Sequence, residues 1–194
     1  MLDAVSLFGW DRPAKFSKDA ATRDVVQEIV GMIARTLQEF VRNHGIEMPT
    51  IYAEPGRALV ASGQLLLLRV EAVKTRPRGN AVAVCDAGAL SLSPLLLSET
   101  HAILVANKAD YKRTARYDLL GNLPAPLDVV AIGRELPLLE KNDIVAVMDT
   151  GAYFTALGNN FAGPRPALVT VDDGTATLAR RRESFEDMIS RDAV

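Results

Sequence analysis

The chain has 194 residues, of which 48% are hydrophobic, and its formal net charge is −2 at neutral pH. This length and composition suffice for a buried core in one or two domains. The slightly acidic balance argues against nucleic acid as the main partner, and the sequence contains no apolar run of membrane-spanning length. The single cysteine, Cys85, lies in an apolar run, so we expect a buried thiol, no disulfide, no metal site and a cytoplasmic protein.

The first part of the sequence follows the pattern of a parallel α/β fold. Residues 2–5 are predicted as a short strand. A stripe of apolar positions at three- and four-residue spacing then predicts a helix that stops at His44-Gly45. The stripe consists of Val25, Ile29, Met32, Ile33, Thr36, Leu37 and Phe40. Ile46–Ala53 is predicted as a second strand, and one such strand-helix-strand unit cannot close a barrel by itself.

From Gln64 onward, short apolar runs alternate with turn signals, which predicts a β-barrel or sandwich. The main candidate strands are Leu65–Val73, Ala81–Asp86, His101–Val105, Val129–Ile132, Ile144–Met148 and Ala167–Val171. Asp172-Asp173-Gly174 predicts a hairpin turn that leads into a further strand over Thr175–Arg180. The predicted fold is therefore mainly β, preceded by the strand-helix-strand unit.

Two short segments carry weaker signals. Ser184 and Asp187 have the spacing of a capping box, which predicts a terminal helix over residues 185–191. The apolar segment Ser91–Ser98 contains Pro94, and both a loop and a helix are compatible with it.

The residues that carry the most chemical information are Glu54-Pro55-Gly56-Arg57, directly after the second predicted strand. Pro55 and Gly56 favour a tight turn that lets the backbone approach a ligand closely. Arg57 offers a planar guanidinium for a phosphate group, and Glu54 offers a carboxylate that can keep a ring nitrogen protonated. Pro-Gly is also a common surface turn, so the tetrad alone leaves a binding site and an ordinary turn both open.

A set of short motifs that includes this tetrad is spread over most of the chain. The motifs are Leu2-Asp3, Glu54-Pro55-Gly56-Arg57, Asp86-Ala87-Gly88, Gly121-Asn122-Leu123, Leu136-Pro137, Gly151-Ala152-Tyr153, Pro164-Arg165-Pro166 and Arg180-Arg181-Arg182-Glu183-Ser184-Phe185-Glu186-Asp187. In this order the chain resembles the C-terminal part of the fold-type III, pyridoxal-phosphate-dependent decarboxylases, the diaminopimelate and ornithine decarboxylase family. The resemblance implies that residues 1–63 end a (β/α)8 cofactor-binding barrel, that residues 64–194 form the family's C-terminal β-domain, and that most of the barrel is missing from this polypeptide.

The resemblance also implies a pyridoxal phosphate site to which this chain contributes some of the contacts. Glu54 is similar to the partner of the pyridine nitrogen, and Gly56 and Arg57 are similar to part of the phosphate cradle. Tyr153 is similar to a residue that reaches the phosphate from the β-domain, although its residue type alone favours an interfacial aromatic. No catalytic residue is assigned in this chain.

The family's lysine, which bonds covalently to the cofactor, belongs to an early barrel strand, and no lysine of this chain replaces it. Five lysines stand in polar, loop-like contexts and are expected to be solvated: Lys15, Lys18, Lys74, Lys112 and Lys141. Lys108 has a more apolar setting but falls in the β-domain. His101 matches a family histidine, and we expect it to be a packed core residue.

Four departures from the family pattern affect the phosphate loop and the substrate side. Ala4–Phe8 stands where a glycine-rich phosphate loop is expected. Ser93 replaces an arginine that meets a substrate carboxylate, and Leu97 replaces a tyrosine. Pro124 and Ala125 replace a cysteine and an acidic residue, and neither can donate a proton or hold a substrate amine.

The leading hypothesis is the C-terminal portion of an amino-acid decarboxylase-like protein that is inactive alone. It would give cofactor contacts and half of a homodimer interface, and act on a small amino acid or related carboxylate. The remaining barrel would come from a separate chain, would have been lost from the reading frame, or would have been removed from the polypeptide. The alternative is a non-catalytic decarboxylase-like domain for dimerisation or ligand binding, which the altered substrate positions favour. An unrelated β-domain interaction protein would require the motif order to be coincidence.

Overall fold

The computed structural model describes residues 21–52, 54 and 56–193. These residues fall into two compact units, one up to residue 54 and one from residue 56 onward. The strand predicted over residues 2–5 and the Ala4–Phe8 segment lie outside the described residues, and the domain boundary predicted after residue 63 stays a prediction. Within the described part, no helix combines the length and the apolar character needed to cross a membrane.

The first unit contains the predicted helix, α1 (Ala21–His44), which confirms the apolar periodicity. The helix stops where Gly45 adopts a φ of +62°, a left-handed conformation that costs glycine least. The last turn is closed by a hydrogen bond of 2.9 Å between His44 Nδ1 and the carbonyl oxygen of Phe40. Ile29, Ile33 and Phe40 of the apolar stripe are exposed.

The predicted strand over Ile46–Ala53 is wrong within the described residues. Residues 46–52 and 54 have no strand conformation, and their side chains are exposed. A strand is stable only when a neighbouring strand pairs with its backbone groups, and no described residue pairs with this segment as a strand. Of the predicted strand-helix-strand unit, the helix is therefore the part that the structure shows.

The second unit is built on a six-stranded sheet with the order β3-β6-β1-β2-β4-β5. The strands are β1 (Leu66–Lys74), β2 (Ala81–Cys85), β3 (Ile103–Val105), β4 (Ala115–Leu120), β5 (Val129–Leu136) and β6 (Ile144–Val147). Strands β2 and β4 pair in parallel, and the other neighbours are antiparallel. The edge strands β3 and β5 approach each other, so the sheet curls into a nearly closed barrel. The predicted mainly-β barrel is confirmed.

Alternate residues of these strands point into one apolar core. The most deeply buried side chains include Leu68, Val70, Leu119, Val145 and Val147. Burying each of them contributes about 1.5–3 kcal/mol relative to exposure. The core therefore holds the strands of the sheet together.

Strand β4 is absent from the sequence prediction because charged residues interrupt its apolar pattern. One of them, Asp118, is buried but fully supported by polar partners. It accepts hydrogen bonds from Arg76 Nη1 at 3.0 Å, Asn80 Nδ2 at 2.8 Å and the backbone N–H of Gly133 at 3.0 Å. A buried carboxylate is stable only with such partners.

The C-terminal part agrees with its predicted turn and cap. Strands β7 (Leu168–Asp172) and β8 (Thr175–Arg180) form an antiparallel hairpin. A short helix, α4 (Phe185–Ile189), follows, and both bonds of the capping box between Ser184 and Asp187 are present. The helix ends two residues before the predicted bound. Two further short helices, α2 (Arg57–Val60) and α3 (Leu95–Ser98), lie outside the sheet, so the Ser91–Ser98 segment contains a helical turn.

Candidate functional site

The segment that begins at Gly56 is hydrogen-bonded to the loop after β6. Gly56 has a φ of +34°, which favours glycine, and directly precedes α2. The backbone N–H of Gly151 donates to the carbonyl oxygen of Ala61 at 2.9 Å. A Cβ on Gly151 would lie 1.9 Å from the carbonyl oxygen of Val60, so only glycine permits this approach. The close contact joins the end of α2 to the residues around Gly151.

Arg57 and Tyr153 meet at this contact. The guanidinium carbon of Arg57 lies 5.2 Å from the centre of the Tyr153 ring, within the range of a cation–π interaction. Tyr153 has a φ of +69°, a conformation that costs a non-glycine residue about 1–3 kcal/mol. It is nevertheless 52% exposed. A half-exposed aromatic ring held in a strained backbone beside a guanidinium is a candidate ligand contact.

The Arg57 guanidinium is also paired with a carboxylate that the sequence prediction missed. Its Nη1 donates to Glu99 Oε2 at 2.9 Å, and its Nη2 donates to Glu99 Oε1 at 2.5 Å. The Arg57 and Glu99 side chains are 40% and 20% exposed. The two residues are 42 positions apart, and no motif contains Glu99. Only the sheet connections bring them together, so a local sequence pattern could not reveal the pair.

His101 continues this row of charged and polar groups. Its Nδ1 lies 2.8 Å from the carbonyl oxygen of Met148, and its ring packs edge-on against Phe154. Its Nε2 lies 3.2 Å from Glu99 Oε2, without the alignment of a hydrogen bond. The imidazole is buried, which confirms the predicted packed histidine. The site therefore runs from Tyr153 through Arg57 and Glu99 to His101.

Glu54 belongs to the other unit, and its side chain is exposed. Its role at a ring nitrogen stays a prediction, as do the roles of Gly56, Arg57 and Tyr153 at a phosphate. Of these four residues, the structure brings Arg57 and Tyr153 into contact.

The altered substrate-side positions next to α3 have no polar group aimed outward. Ser93 is 1% exposed, and its Oγ accepts the backbone N–H of Leu95 at 3.4 Å. Leu97 is 41% exposed and presents an aliphatic surface. Neither residue can supply a cation for a substrate carboxylate.

Pro124 and Ala125 lie on the loop between β4 and β5, where they line an open depression of about 350 Å³. This depression does not include Arg57 or Tyr153. The loop that lines the depression is stabilised by hydrogen bonds to Asp128, whose side chain is 2% exposed. Asp128 accepts the backbone N–H groups of Leu90 at 3.0 Å and Leu123 at 2.9 Å. Of the exposed side chains on this loop, Asn122 is polar, and none carries a titratable group.

Cys85 and Lys108, the most buried lysine among the described residues, have side chains that are packed or paired within the protein. Burial raises the pKa of Cys85 to about 12, so its thiol is protonated at neutral pH. Lys108 Nζ donates to Asp143 Oδ2 and to the carbonyl oxygen of Leu138, both at 2.8 Å. The bond to Asp143 raises the pKa of Lys108. Burial alone would raise the pKa of Asp143, but hydrogen bonds from Lys108, Asn107 and the Glu140 backbone outweigh it and lower that pKa.

Comparison with known proteins accounts for the fold and the motif order. Residues 59–151 match the family model described as the pyridoxal-dependent decarboxylase C-terminal sheet domain. The chain belongs to this decarboxylase family and corresponds to its C-terminal part. The predicted family is thereby confirmed.

Individual relatives of the decarboxylase family agree. The chain is 31% identical to the diaminopimelate decarboxylase of Methanothermobacter thermautotrophicus over 84% of its own length and 38% of that protein. It is 37% identical to the Archaeoglobus fulgidus enzyme over 74% of its length and 34% of that protein. A crystal structure of diaminopimelate decarboxylase from M. jannaschii in complex with L-lysine superposes with a TM-score of 0.69 at 32% identity, covering 84% of this chain and 37% of that one. The chain thus spans between a third and two-fifths of these relatives.

Proposed function

We propose that this chain contributes the phosphate side of a pyridoxal phosphate site to a decarboxylase that acts on an amino acid or a related carboxylate. The observation that carries the proposal is the contact between the Arg57 guanidinium and the strained, half-exposed Tyr153 ring. The family of the chain supports the choice of cofactor. Diaminopimelate decarboxylases among its relatives, one of them solved with L-lysine, support a small amino acid as the substrate class.

The side chains at this position are of the types that bind phosphate. A guanidinium carries five N–H donors, and Glu99 accepts from two of its nitrogens, so further donors remain. The phenol of Tyr153 is another donor, and both side chains are accessible to a ligand. Charge-assisted donors of this type are the usual partners of phosphate.

Each residue would have a separate task in the assembled site. Arg57 and Tyr153 would bind the phosphate, and Gly56 would keep the backbone close to it. Glu54 would place an anion beside the ring nitrogen and hold a proton there. When bound, the cofactor supplies an electron sink for the electron pair that remains after carbon dioxide leaves. No lysine of this chain takes the place of the family's cofactor-bonding lysine, so we expect the 194-residue chain alone to be inactive.

Several wider expectations belong to the same proposal. Because the chain spans 38% of its Methanothermobacter relative, the activity, substrate and partners of the whole protein are inferred and not shown. A homodimer is supported by exposed apolar side chains on the hairpin, namely Val169, Val171 and Leu178. Cytoplasmic location stays an expectation supported by the buried, unpaired Cys85.

A second candidate is a non-catalytic decarboxylase-like domain. Two observations favour it: Glu99 partly neutralises Arg57, and Pro124 and Ala125 supply no polar side chain at their two positions on the loop. In that case the chain would retain the family fold for dimerisation or ligand binding without supporting turnover.

The phosphate contact can be tested without covalent chemistry. Pyridoxine 5′-phosphate has no aldehyde, so its binding does not depend on a lysine, and pyridoxine provides the same ring without phosphate. We expect calorimetry to show that Arg57→Ala weakens pyridoxine 5′-phosphate binding by about 1.5 kcal/mol, or roughly tenfold in Kd, because a charged contact is lost. This loss of binding free energy is at the low end for a charged contact because the Arg57 guanidinium is already paired with Glu99.

Arg116→Ala is the matched control, since Arg116 also pairs with a glutamate, Glu135, on the sheet surface. Its affinity should equal that of the native chain, and no variant should change the binding of pyridoxine. Equal affinities of the native and Arg57→Ala chains for pyridoxine 5′-phosphate would refute the assignment of Arg57.

A further inference from the structure

The pair formed by Arg57 and Glu99 has the geometry that a phosphate would adopt at the same guanidinium. Each carboxylate oxygen of Glu99 accepts from a different terminal nitrogen of Arg57, at 2.9 Å and 2.5 Å. Two parallel N–H···O bonds of this kind are the usual arrangement of arginine with both carboxylate and phosphate. A phosphate that approaches this edge of the guanidinium therefore meets a position that Glu99 already fills.

Glu99 is held in this position by more than its arginine partner. Its backbone N–H donates to the carbonyl oxygen of Leu95 at 2.9 Å, which fixes it at the end of α3. Its Oε2 lies 3.2 Å from Nε2 of the buried His101. This contact with His101 is not a hydrogen bond, because the His101 ring is bonded through Nδ1 to the Met148 carbonyl oxygen and its Nε2 has no hydrogen-bond partner among the described residues. The carboxylate is thus pre-positioned, and it loses less side-chain entropy on pairing than a mobile surface glutamate would.

The charge balance of the pair opposes a second anion. The carboxylate cancels the charge of the guanidinium, and a phosphate monoester carries about −1.5 to −2 at neutral pH. Two anions on one guanidinium lie within a few ångströms of each other, where like charges repel even at the protein surface. The remaining guanidinium donors and the Tyr153 hydroxyl still allow weak binding. Glu99 therefore lowers the affinity of the site without closing it.

We propose that Glu99 is a built-in competitor for the phosphate group at Arg57, and that it sets the affinity of this chain for phosphorylated ligands. The inference rests on the proposed function, in which Arg57 contacts the phosphate. It assigns Glu99 as an affinity-determining residue that acts through Arg57 and not through the ligand's ring. Loss of the carboxylate charge should strengthen phosphate binding, whereas loss of a merely structural contact would weaken or not alter it.

The direct test is Glu99→Gln in the full chain, because glutamine keeps the size and one acceptor oxygen but removes the charge. Calorimetric titration with pyridoxine 5′-phosphate should show about tenfold tighter binding than the native chain, a coupling typical of charged groups in contact. Inorganic phosphate should show the same direction of change, and pyridoxine should show none. Glu135→Gln, which removes a charge of the same type from the Arg116 pair, should leave the affinity unchanged.

The double variant Arg57→Ala/Glu99→Gln separates the inference from the proposed function. If Glu99 competes at Arg57, the gain from Glu99→Gln disappears in the Arg57→Ala background. If Arg57→Ala weakens binding but Glu99→Gln does not strengthen it, the competitor role is wrong and the phosphate role of Arg57 stands. If Arg57→Ala has no effect in either background, the proposed function itself is wrong.

Two further outcomes are decisive. An equal gain from Glu135→Gln would show that net charge alone governs binding, which would overturn the competitor role. If Glu99→Gln does not fold, judged by thermal unfolding, Glu99→Asp replaces it. The shorter side chain withdraws the carboxylate from Arg57 while keeping its charge, so a smaller gain, about threefold, is expected. No gain with Glu99→Asp would count against the proposal.

Discussion

Glu99 and Asp128 are both carboxylates that hold a neighbouring segment in place, but they hold different kinds of partner. Glu99 binds the guanidinium of Arg57 and lies near the surface. Asp128 is almost fully buried and binds the backbone N–H groups of Leu90 and Leu123. The region around Glu99 presents side chains that can contact a ligand. The contacts of Asp128 stabilise only the backbone conformation of its loop.

This difference bears on the two groups of residues that the resemblance assigns to the site. Around Asp128, the loop keeps its fold although Pro124 and Ala125 carry no reactive group, because the anchor acts on backbone atoms. Around Glu99, the proposed phosphate contacts are the side chains of Arg57 and Tyr153, which are accessible. A loop that is anchored through its backbone atoms can therefore keep its conformation when its outward side chains carry no reactive group.

The largest effect that we predict is the loss of stability in Asp128→Ala. Removal of the carboxylate leaves two partly buried backbone donors without their acceptor, and each costs about 1–3 kcal/mol. We expect the free energy of unfolding to fall by about 3 kcal/mol, measured by urea denaturation. Asp110→Ala, an exposed aspartate, should change it by less than about 0.5 kcal/mol. A loss below about 1 kcal/mol in Asp128→Ala would mean that water or another donor set supports the loop.

A smaller effect is expected at Tyr153, in the opposite direction. Its φ of +69° strains a non-glycine residue, and its ring is half exposed, so packing depends little on it. Tyr153→Gly should therefore raise the free energy of unfolding by up to about 1 kcal/mol while phosphate affinity falls. Thermal unfolding and calorimetry measure the two quantities on one sample.

Asn142→Gly is the matched control for this substitution. Asn142 has a φ of +74°, but asparagine tolerates the left-handed conformation, so a gain near zero is expected. A loss of more than about 1 kcal/mol in Tyr153→Gly would show that the ring is needed for packing, and the argument from strain would then fail.

Local signals in the sequence predicted most elements of this fold. Helix α1, the β7–β8 hairpin and the cap of α4 each follow from a spacing or turn that acts over a few residues. Strand β4 was missed because Arg116 and Asp118 break its apolar pattern. Only distant partners, such as Arg76 at 42 positions away, make the burial of Asp118 possible. The strand predicted over residues 46–53 failed for the complementary reason, since its apolar residues have no described partner strand.

The candidate site was predictable to a lesser extent. Arg57 and Tyr153 came from the resemblance to the decarboxylases, and the structure brings them into contact. Glu99 lies 42 positions from Arg57, and Asp128 lies 38 positions from Leu90 and five from Leu123, so no local motif marks the long-range contacts. Pairing over such separations depends on the order of strands in the sheet, which a local pattern does not encode.

The central claim is that this chain holds the phosphate of the cofactor without bonding to the cofactor through a lysine. Borohydride reduction of the 194-residue chain with equimolar pyridoxal phosphate, followed by peptide mass mapping, tests it most directly. We predict partial labelling spread over exposed lysines such as Lys74, Lys112 and Lys141, and little at Lys108, which is paired with Asp143. Labelling of one lysine to a full equivalent would contradict the claim.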